Sequence, residues 1–271
     1  MYVVMDIGGT NTRIGVSPDA QSLEKSEKFP TNPDPKTALK EISSAVEKMV
    51  GRDPVTAVAA GITGVMNEDR STLISSPHLK KWEGTNLKKT WEKELGTRVY
   101  WENDAALGGL GEAVFGAGRR KRIVAFITVS TGIGGVRIVE GKIDPSVWGF
   151  EPGHHLISSG EKIGEWEEFA SGTAMEKIYG KKPEDIDDPD AWISEARMLA
   201  IGLHNVAVFW SPEIIVLGGA LAQKIPLPQL QSLISEEMKI FPEAPPVEIG
   251  TLGDKCGLYG GLALLTQRER A

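Results

Sequence analysis

A strand, a paired-glycine turn and a second strand occur twice in this chain, and that repetition constrains its fold more than any other feature. The first copy is Tyr2-Val-Val-Met-Asp-Ile-Gly-Gly-Thr-Asn-Thr-Arg-Ile-Gly-Val16 and the second is Ile123-Val-Ala-Phe-Ile-Thr-Val-Ser-Thr-Gly-Ile-Gly-Gly-Val-Arg-Ile-Val139. Gly8 and Gly9, then Gly132, Gly134 and Gly135, allow backbone angles that a side chain would forbid. Thr10, Thr12, Thr128, Ser130 and Thr131 place hydroxyls beside exposed amides. Two such loops facing each other would clamp phosphates; taken singly, each is also compatible with an ordinary tight hairpin.

The segments between and after the hairpins alternate helical and strand patterns. Leu39, Ile42, Val46 and Met49 recur at helical spacing, and Val55 to Ala60 reads as a buried strand running to the turn Gly61-Ile-Thr-Gly64. Leu87, Trp91 and Leu95 predict a short helix stopped by Gly96, and Val99-Tyr-Trp101 a strand leading to Glu102-Asn-Asp104. In the second half, Glu165 to Ile178 reads as helical, Pro183 to Asp190 as an acidic loop, and Ala196, Leu199, Leu203, Val206 and Trp210 as a helical stripe. Glu213 to Leu217 is a buried strand before Gly218-Gly219, and the tail from Gly257 to Arg270 is helical. Ser17 to Pro35 and Gly149 to Gly164 carry turn formers and little periodicity. A sheet followed by alternating elements in each half predicts an α/β fold with an internal duplication, divided near Asn103 to Ala105.

The 271 residues suffice for two modest cores, and a net charge of −7 disfavours bulk attraction to nucleic acid or anionic membranes. The run Arg119-Arg-Lys-Arg122 is a local exception, read as a solvated turn before the second hairpin. One cysteine, Cys256, precludes an internal disulfide or a thiolate metal cluster and fits a reducing, cytoplasmic setting. No apolar window is long enough for a membrane span, and no signal run precedes Tyr2.

Asp6, between a strand and a double glycine, either holds Mg2+ near nucleotide phosphates, directly or through water, or caps a turn. Asn103-Asp104 either supplies a general base and its orienting amide or caps a helix. Glu151, His154 and Glu167 suit a polyhydroxylated substrate, whose hydroxyls both donate and accept. Metal binding by His154-His155 competes with that reading, but adjacent side chains in an extended segment point apart. His78 and His204 read as structural. Gly218-Gly-Ala220 either admits adenosine against bare backbone or starts a helix. No Walker loop or dinucleotide fingerprint is present.

Together these motifs resemble the ROK family of sugar kinases, within the sugar kinase, Hsp70 and actin superfamily, over almost the whole chain and in the family's order. Asp6-Ile-Gly-Gly-Thr-Asn-Thr-Arg13 resembles the first phosphate loop and Thr131-Gly-Ile-Gly-Gly135 the second. Gly61-Ile-Thr-Gly64 resembles the glycine turn near the sugar, Glu102-Asn-Asp-Ala105 with Gly111-Glu112 the catalytic segment, and Pro212 to Gly219 the strand and loop near adenosine. Glu151-Pro-Gly-His154 matches the sugar-binding Glu-x-Gly-His element, and Glu167 falls where the family places another sugar-contacting glutamate.

The resemblance implies duplicated ribonuclease H-like, actin-like ATPase domains with a central cleft that closes over the sugar. A small domain would span 1–104, rejoined by a C-terminal helix at about 262–271, and a large domain 105–261. It implies an ATP- and Mg2+-dependent glucokinase or hexokinase acting at the 6-hydroxyl of glucose or a related hexose. Asp104 would be the catalytic base, and Gly64, Asn103, Asp104, Glu151, His154 and Glu167 would hold the sugar. Asp6, Gly8, Gly9, Thr10, Asn11, Thr12, Thr131, Gly132, Gly218 and Gly219 would hold nucleotide, with Asp6 at the magnesium. An N-acetylmannosamine or N-acetylglucosamine kinase is the near alternative, a non-catalytic sugar or nucleotide sensor a different class, and polyphosphate an alternative donor. Many family members bind structural zinc through three cysteines after the Glu-x-Gly-His element; Ser158 to Glu165 contains none, so no structural zinc is expected. The implied partners are a sugar and ATP, with neither nucleic acid nor membrane, because no DNA-binding domain fits before Asp6. A homodimer is compatible with the resemblance, though the sequence does not establish one.

Overall fold

The computed structural model describes residues 1–269, which divide into two compact units. The first comprises Met1–Phe115, Pro145–Gly149 and the residues from Asp254 onward; the second comprises Gly116–Asp144 and Phe150–Gly253. The first unit begins with β1 (Tyr2–Ile7), β2 (Asn11–Ser17), β3 (Lys25–Pro30), α1 (Pro35–Val50) and β4 (Ala57–Ile62). It continues through β5 (Val65–Met66), β6 (Leu73–Ser75), α2 (Leu87–Leu95), β7 (Val99–Asn103) and α3 (Asp104–Val114). The second unit holds β8 (Ile123–Val129), β9 (Ile133–Val139), β10 (Lys142–Ile143), β11 (Leu156–Ser159), β12 (Lys162–Glu165) and α4 (Gly172–Tyr179). Then come α5 (Pro189–Trp210), β13 (Ile214–Gly218), α6 (Leu227–Glu237) and β14 (Val247–Ile249), and α7 (Cys256–Glu269) returns the chain to the first unit.

The two sheets repeat one topology. The first has strand order β3-β2-β1-β4-β7 and the second β10-β9-β8-β13-β14. In each, an antiparallel meander of three strands leads from one edge, the third pairs in parallel with the fourth, and the fourth in parallel with the fifth. The duplication expected from the paired hairpins is thus present as an α/β fold of the actin-like type.

Helices cover the parallel strands, which accordingly read as unbroken apolar runs. Every residue of β4 is buried. Helix α1 starts where Asp34 accepts from the Thr37 N–H at 2.9 Å and Pro35 takes the first turn. It buries Leu39, Ile42, Val46 and Met49 in the first core, beside an edge-to-face pair of Trp91 and Trp101 at 5.0 Å. In the second unit, α5 lays Leu199, Leu203 and Val206 against Ile127, Val129, Ile215 and Leu217. Helices α3 and α7 cross in backbone contact: a Cβ at Gly260 would collide with the Leu107 carbonyl.

Three segments differ from expectation. The polar stretch Ser17 to Pro35 contains the edge strand β3, whose Lys25-Ser-Glu-Lys-Phe-Pro30 sequence is exposed and carries no inward alternation. Gly149 to Gly164 contains most of the hairpin β11–β12, whose Leu156 and Ile163 face solvent. The helix expected from Glu165 instead begins at Gly172, capped by Ser171, after β12 and a single helical turn at Trp166–Glu168. Of the predicted terminal helix at about 262–271, Arg270 and Ala271 lie outside the described residues.

Candidate active site

In the first unit, the functional groups cluster beyond the C-terminal ends of the parallel strands. Asp6, next to last in β1, lies opposite Arg13 on β2, and Asn103 and Asp104 stand where β7 passes into α3. Asn103 caps that helix: its Oδ1 accepts from the Ala106 N–H at 3.0 Å while its Nδ2 donates to the Gly64 carbonyl at 3.1 Å. The one amide thus caps α3 and ties Gly64 to the β7–α3 junction.

Asp104 is partly buried. Burial raises its carboxyl above the ordinary value, opposed by the Ala105 N–H, its own backbone N–H and the Thr63 hydroxyl, and by the charge of His78. Burial also pushes Asp6 up to about 7, with Asp104 adding to the rise and Arg13 opposing it. The Arg13 guanidinium lies 3.6 Å from Asp6 and is held from its other side by Asp254 at 2.6 Å. A carboxyl whose proton affinity is raised by burial and by a neighbouring carboxylate can exchange a proton near neutral pH or hold a cation.

The first glycine loop is braced by Thr31, which donates its N–H to the Thr10 carbonyl at 2.9 Å and its hydroxyl to the Gly8 carbonyl at 2.7 Å. The Gly8 N–H is taken by the Asn11 carbonyl at 3.0 Å. Thr10 is exposed and Gly9 and Asn11 partly so. Thr12 departs from expectation: fully buried, its hydroxyl is 2.9 Å from that of Thr31, so it secures the loop from beneath instead of offering a donor to phosphate.

In the second unit, Glu167 joins the sugar-type residues to the second glycine loop. Its Oε2 accepts from the Ile133 N–H at 3.0 Å, and a Cβ at Gly132 would stand 2.6 Å from that oxygen. The start of α4 holds the same loop: the Gly172 N–H donates to the Ser130 carbonyl at 2.7 Å and the Thr173 hydroxyl to the Thr131 carbonyl at 2.8 Å. Gly218 ends β13, and Gly219 follows in the left-handed region at φ +87°.

His154 Nδ1 lies 2.8 Å from Glu165 Oε2. That bond, aided by Glu167, Glu165 and Glu151, raises the imidazole above its ordinary value against the effect of burial. His155 turns the other way, bonding the Pro152 carbonyl and Asn205. The two imidazoles therefore point apart as expected, but His154, Glu165 and Glu167 bring ligand atoms within 4.8 Å of one another and could hold a cation. Glu165 was not visible in the sequence as a member of this group, because the β11–β12 register that places it beside His154 was not.

A model of the ROK family matches residues 2–268. The chain belongs to the ROK family. The glucokinase of Streptomyces coelicolor is 28% identical to it over 314 aligned positions, covering 99% of this chain and 98% of its own. A ROK family glucokinase from Streptomyces griseus, solved in complex with glucose and AMPPNP, has a TM-score of 0.83 at 26% identity, over 98% of this chain and 99% of that one. A ROK hexokinase from Thermus thermophilus has a TM-score of 0.85 at 25% identity, over 100% and 99%. Within the ROK family this chain lacks the cysteine zinc motif: its one cysteine, Cys256, lies in α7. No helix among the described residues is long and apolar enough to cross a membrane.

Proposed function

We propose that this ROK protein transfers the γ-phosphoryl group of ATP to a hydroxyl of a glucose-type hexose, at the 6-position. The observation that carries the residue-level reading is Asp104: a carboxyl held by Thr63 and the start of α3, with its proton affinity raised by burial. Such a group suits a general base at neutral pH. Asp104 takes the hydroxyl proton as the sugar oxygen bonds to Pγ. The bond from Pγ to the β,γ-bridging oxygen breaks, and its electron pair leaves with ADP.

Phosphoryl transfer demands mainly positioning and electrostatic stabilisation. Amides around Gly9-Thr10 and Thr131-Gly132 bind the phosphates, with the Thr10 and Thr131 hydroxyls as further donors. Asn103 orients the attacking hydroxyl; Glu151, His154 and Glu167 grip the ring hydroxyls; Gly218 and Gly219 leave bare backbone for adenosine. A magnesium ion fits at Asp6, where a partly buried carboxyl and the nearby Asp104 make negative charge costly. When bound, the ion neutralises phosphate charge.

Coupled ADP release with Mg-ATP against glucose, mannose, N-acetylglucosamine and N-acetylmannosamine tests the reading. Strong turnover on glucose, reduced on the order of 10²–10⁴-fold in a folded Asp104→Ala variant, is expected. A sharp preference for an N-acetylhexosamine would correct the sugar, and near-normal kcat in D104A would remove Asp104 from the chemistry.

A further inference from the structure

The loop after β6 touches both glycine segments that the first unit contributes to the site. At one end Ser76 fills the space beside Gly64: a Cβ there would stand 2.8 Å from Ser76 Cβ and collide with the Ser75 carbonyl. At the other end His78 lies on the first phosphate loop. A Cβ at Gly9 would collide with His78 Cβ and stand 2.8 Å from Cγ and 3.3 Å from Cδ2. Bare backbone at these two glycines is what admits the loop.

The loop is not free to drift. The Ser76 N–H donates to Glu83 Oε1 at 2.8 Å, the Leu79 N–H donates to the Ser76 hydroxyl at 3.2 Å, and Ser76 and Leu79 are buried. His78 between them is exposed. Its ring nitrogens have no hydrogen-bond partner among the described residues, and it is the only imidazole of the first unit. The charge of His78 also acts on Asp104, lowering that carboxyl's proton affinity.

We propose that His78 is a further catalytic residue, whose imidazole N–H donates to a nonbridging oxygen of the γ-phosphoryl group in transit. The inference rests on the kinase reading above. On that reading the phosphates are held at the Gly9–Thr10 amides and the attacking hydroxyl at Asp104, so the transferring group must pass from one to the other. A side chain that lies on the loop and acts electrostatically on the base flanks that path. The step itself is unchanged: the sugar oxygen bonds to Pγ, the bridging bond breaks towards ADP, and the proton goes to Asp104. His78 stabilises the equatorial oxygens through its N–H without exchanging a proton.

His78→Ala and His78→Phe, neither of which keeps a side-chain N–H, are compared with wild type in coupled ADP release under saturating Mg-ATP, with thermal melts to establish folding. Wild-type turnover on a hexose sustains the kinase reading independently of the variants. The expected result is a fall in kcat on the order of 10²-fold, the scale of losing one transition-state donor, with the sugar KM within about threefold of wild type. Unchanged kcat in either folded variant overturns the proposal. A raised sugar KM at full kcat overturns it too, because His78 would then be gripping the ring instead of the phosphoryl group.

Discussion

The Arg70 guanidinium and the Glu102 carboxylate lie 3.1 Å apart, with side chains only 19% and 13% exposed. The same guanidinium donates to the carbonyls of Asn67 and Val147, each at 3.4 Å. Glu102 in turn accepts from the Asn103 N–H at 2.9 Å. Arg70 therefore bears on the strand end that carries Asn103 and Asp104, and ties it to the short segment Pro145–Gly149. It does so from a strained backbone, with φ at +55°, a region that costs a non-glycine residue about 1 kcal/mol.

Strain and clamp can be separated by substitution. Arg70→Ala loses the clamp and keeps the strain; Arg70→Gly loses the clamp and relieves it. Both variants are expected to lower kcat/KM for the sugar equally, by roughly 10- to 100-fold, because Asp104 and Asn103, the proposed base and its orienting amide, lose their fixed position. R70G should nevertheless be more stable than R70A by about 1 kcal/mol. Steady-state kinetics and urea unfolding check both. Wild-type kinetics in R70G would show that the clamp does not bear on the chemistry.

The Thr63 hydroxyl helps to hold Asp104 ionised. Thr63→Val removes the hydroxyl at constant volume, so the proton affinity of Asp104 rises further. As the proposed base it must be deprotonated to act, so the acid limb of the kcat/KM profile should move to higher pH in T63V and stay in place in T63S. A limb unmoved in T63V would mean that another group sets it.

How much of this was readable beforehand differs from segment to segment, for physical reasons. The hairpins β1–β2 and β8–β9 were legible because apolar alternation flanks paired glycines, and both features survive in one dimension. Asn103 and Asp104 were legible for the same reason, since a strand ending in two polar residues breaks a strong pattern. Strand β3 was hidden because it lies at a sheet edge and opens with the exposed polar run Lys25-Ser-Glu-Lys28, and a charged edge strand is indistinguishable from a loop in composition. The contact of His78 with Gly9 was not legible because the two are 69 positions apart and adjacent only in space. Arg70 was silent because a positive φ has no signature in a non-glycine residue. Thr12 misled in the opposite sense: a hydroxyl in a glycine loop suggests a ligand, and only the register with β3 shows that Thr31 occupies it.

Glu195 on α5 is 4% exposed, and its Oε1 has no hydrogen-bond partner. Burial alone pushes its carboxyl from 4.5 up to about 8. Between those values the folded chain holds a proton that the unfolded chain has released. Linkage then requires stability to fall as pH rises through that window, by up to about 1.4 kcal/mol per pH unit, and to level off above it. Asp6, raised to about 7, acts in the same direction, so the comparison must be with Glu195→Gln and not with an absolute curve. The stability of E195Q relative to wild type should grow from pH 5 to pH 8 and then stay constant, as measured by urea midpoints across that range. A constant difference between the two proteins from pH 5 to 9 would mean that Glu195 is already ionised in the folded core, with a partner or water supplying what the buried oxygen lacks.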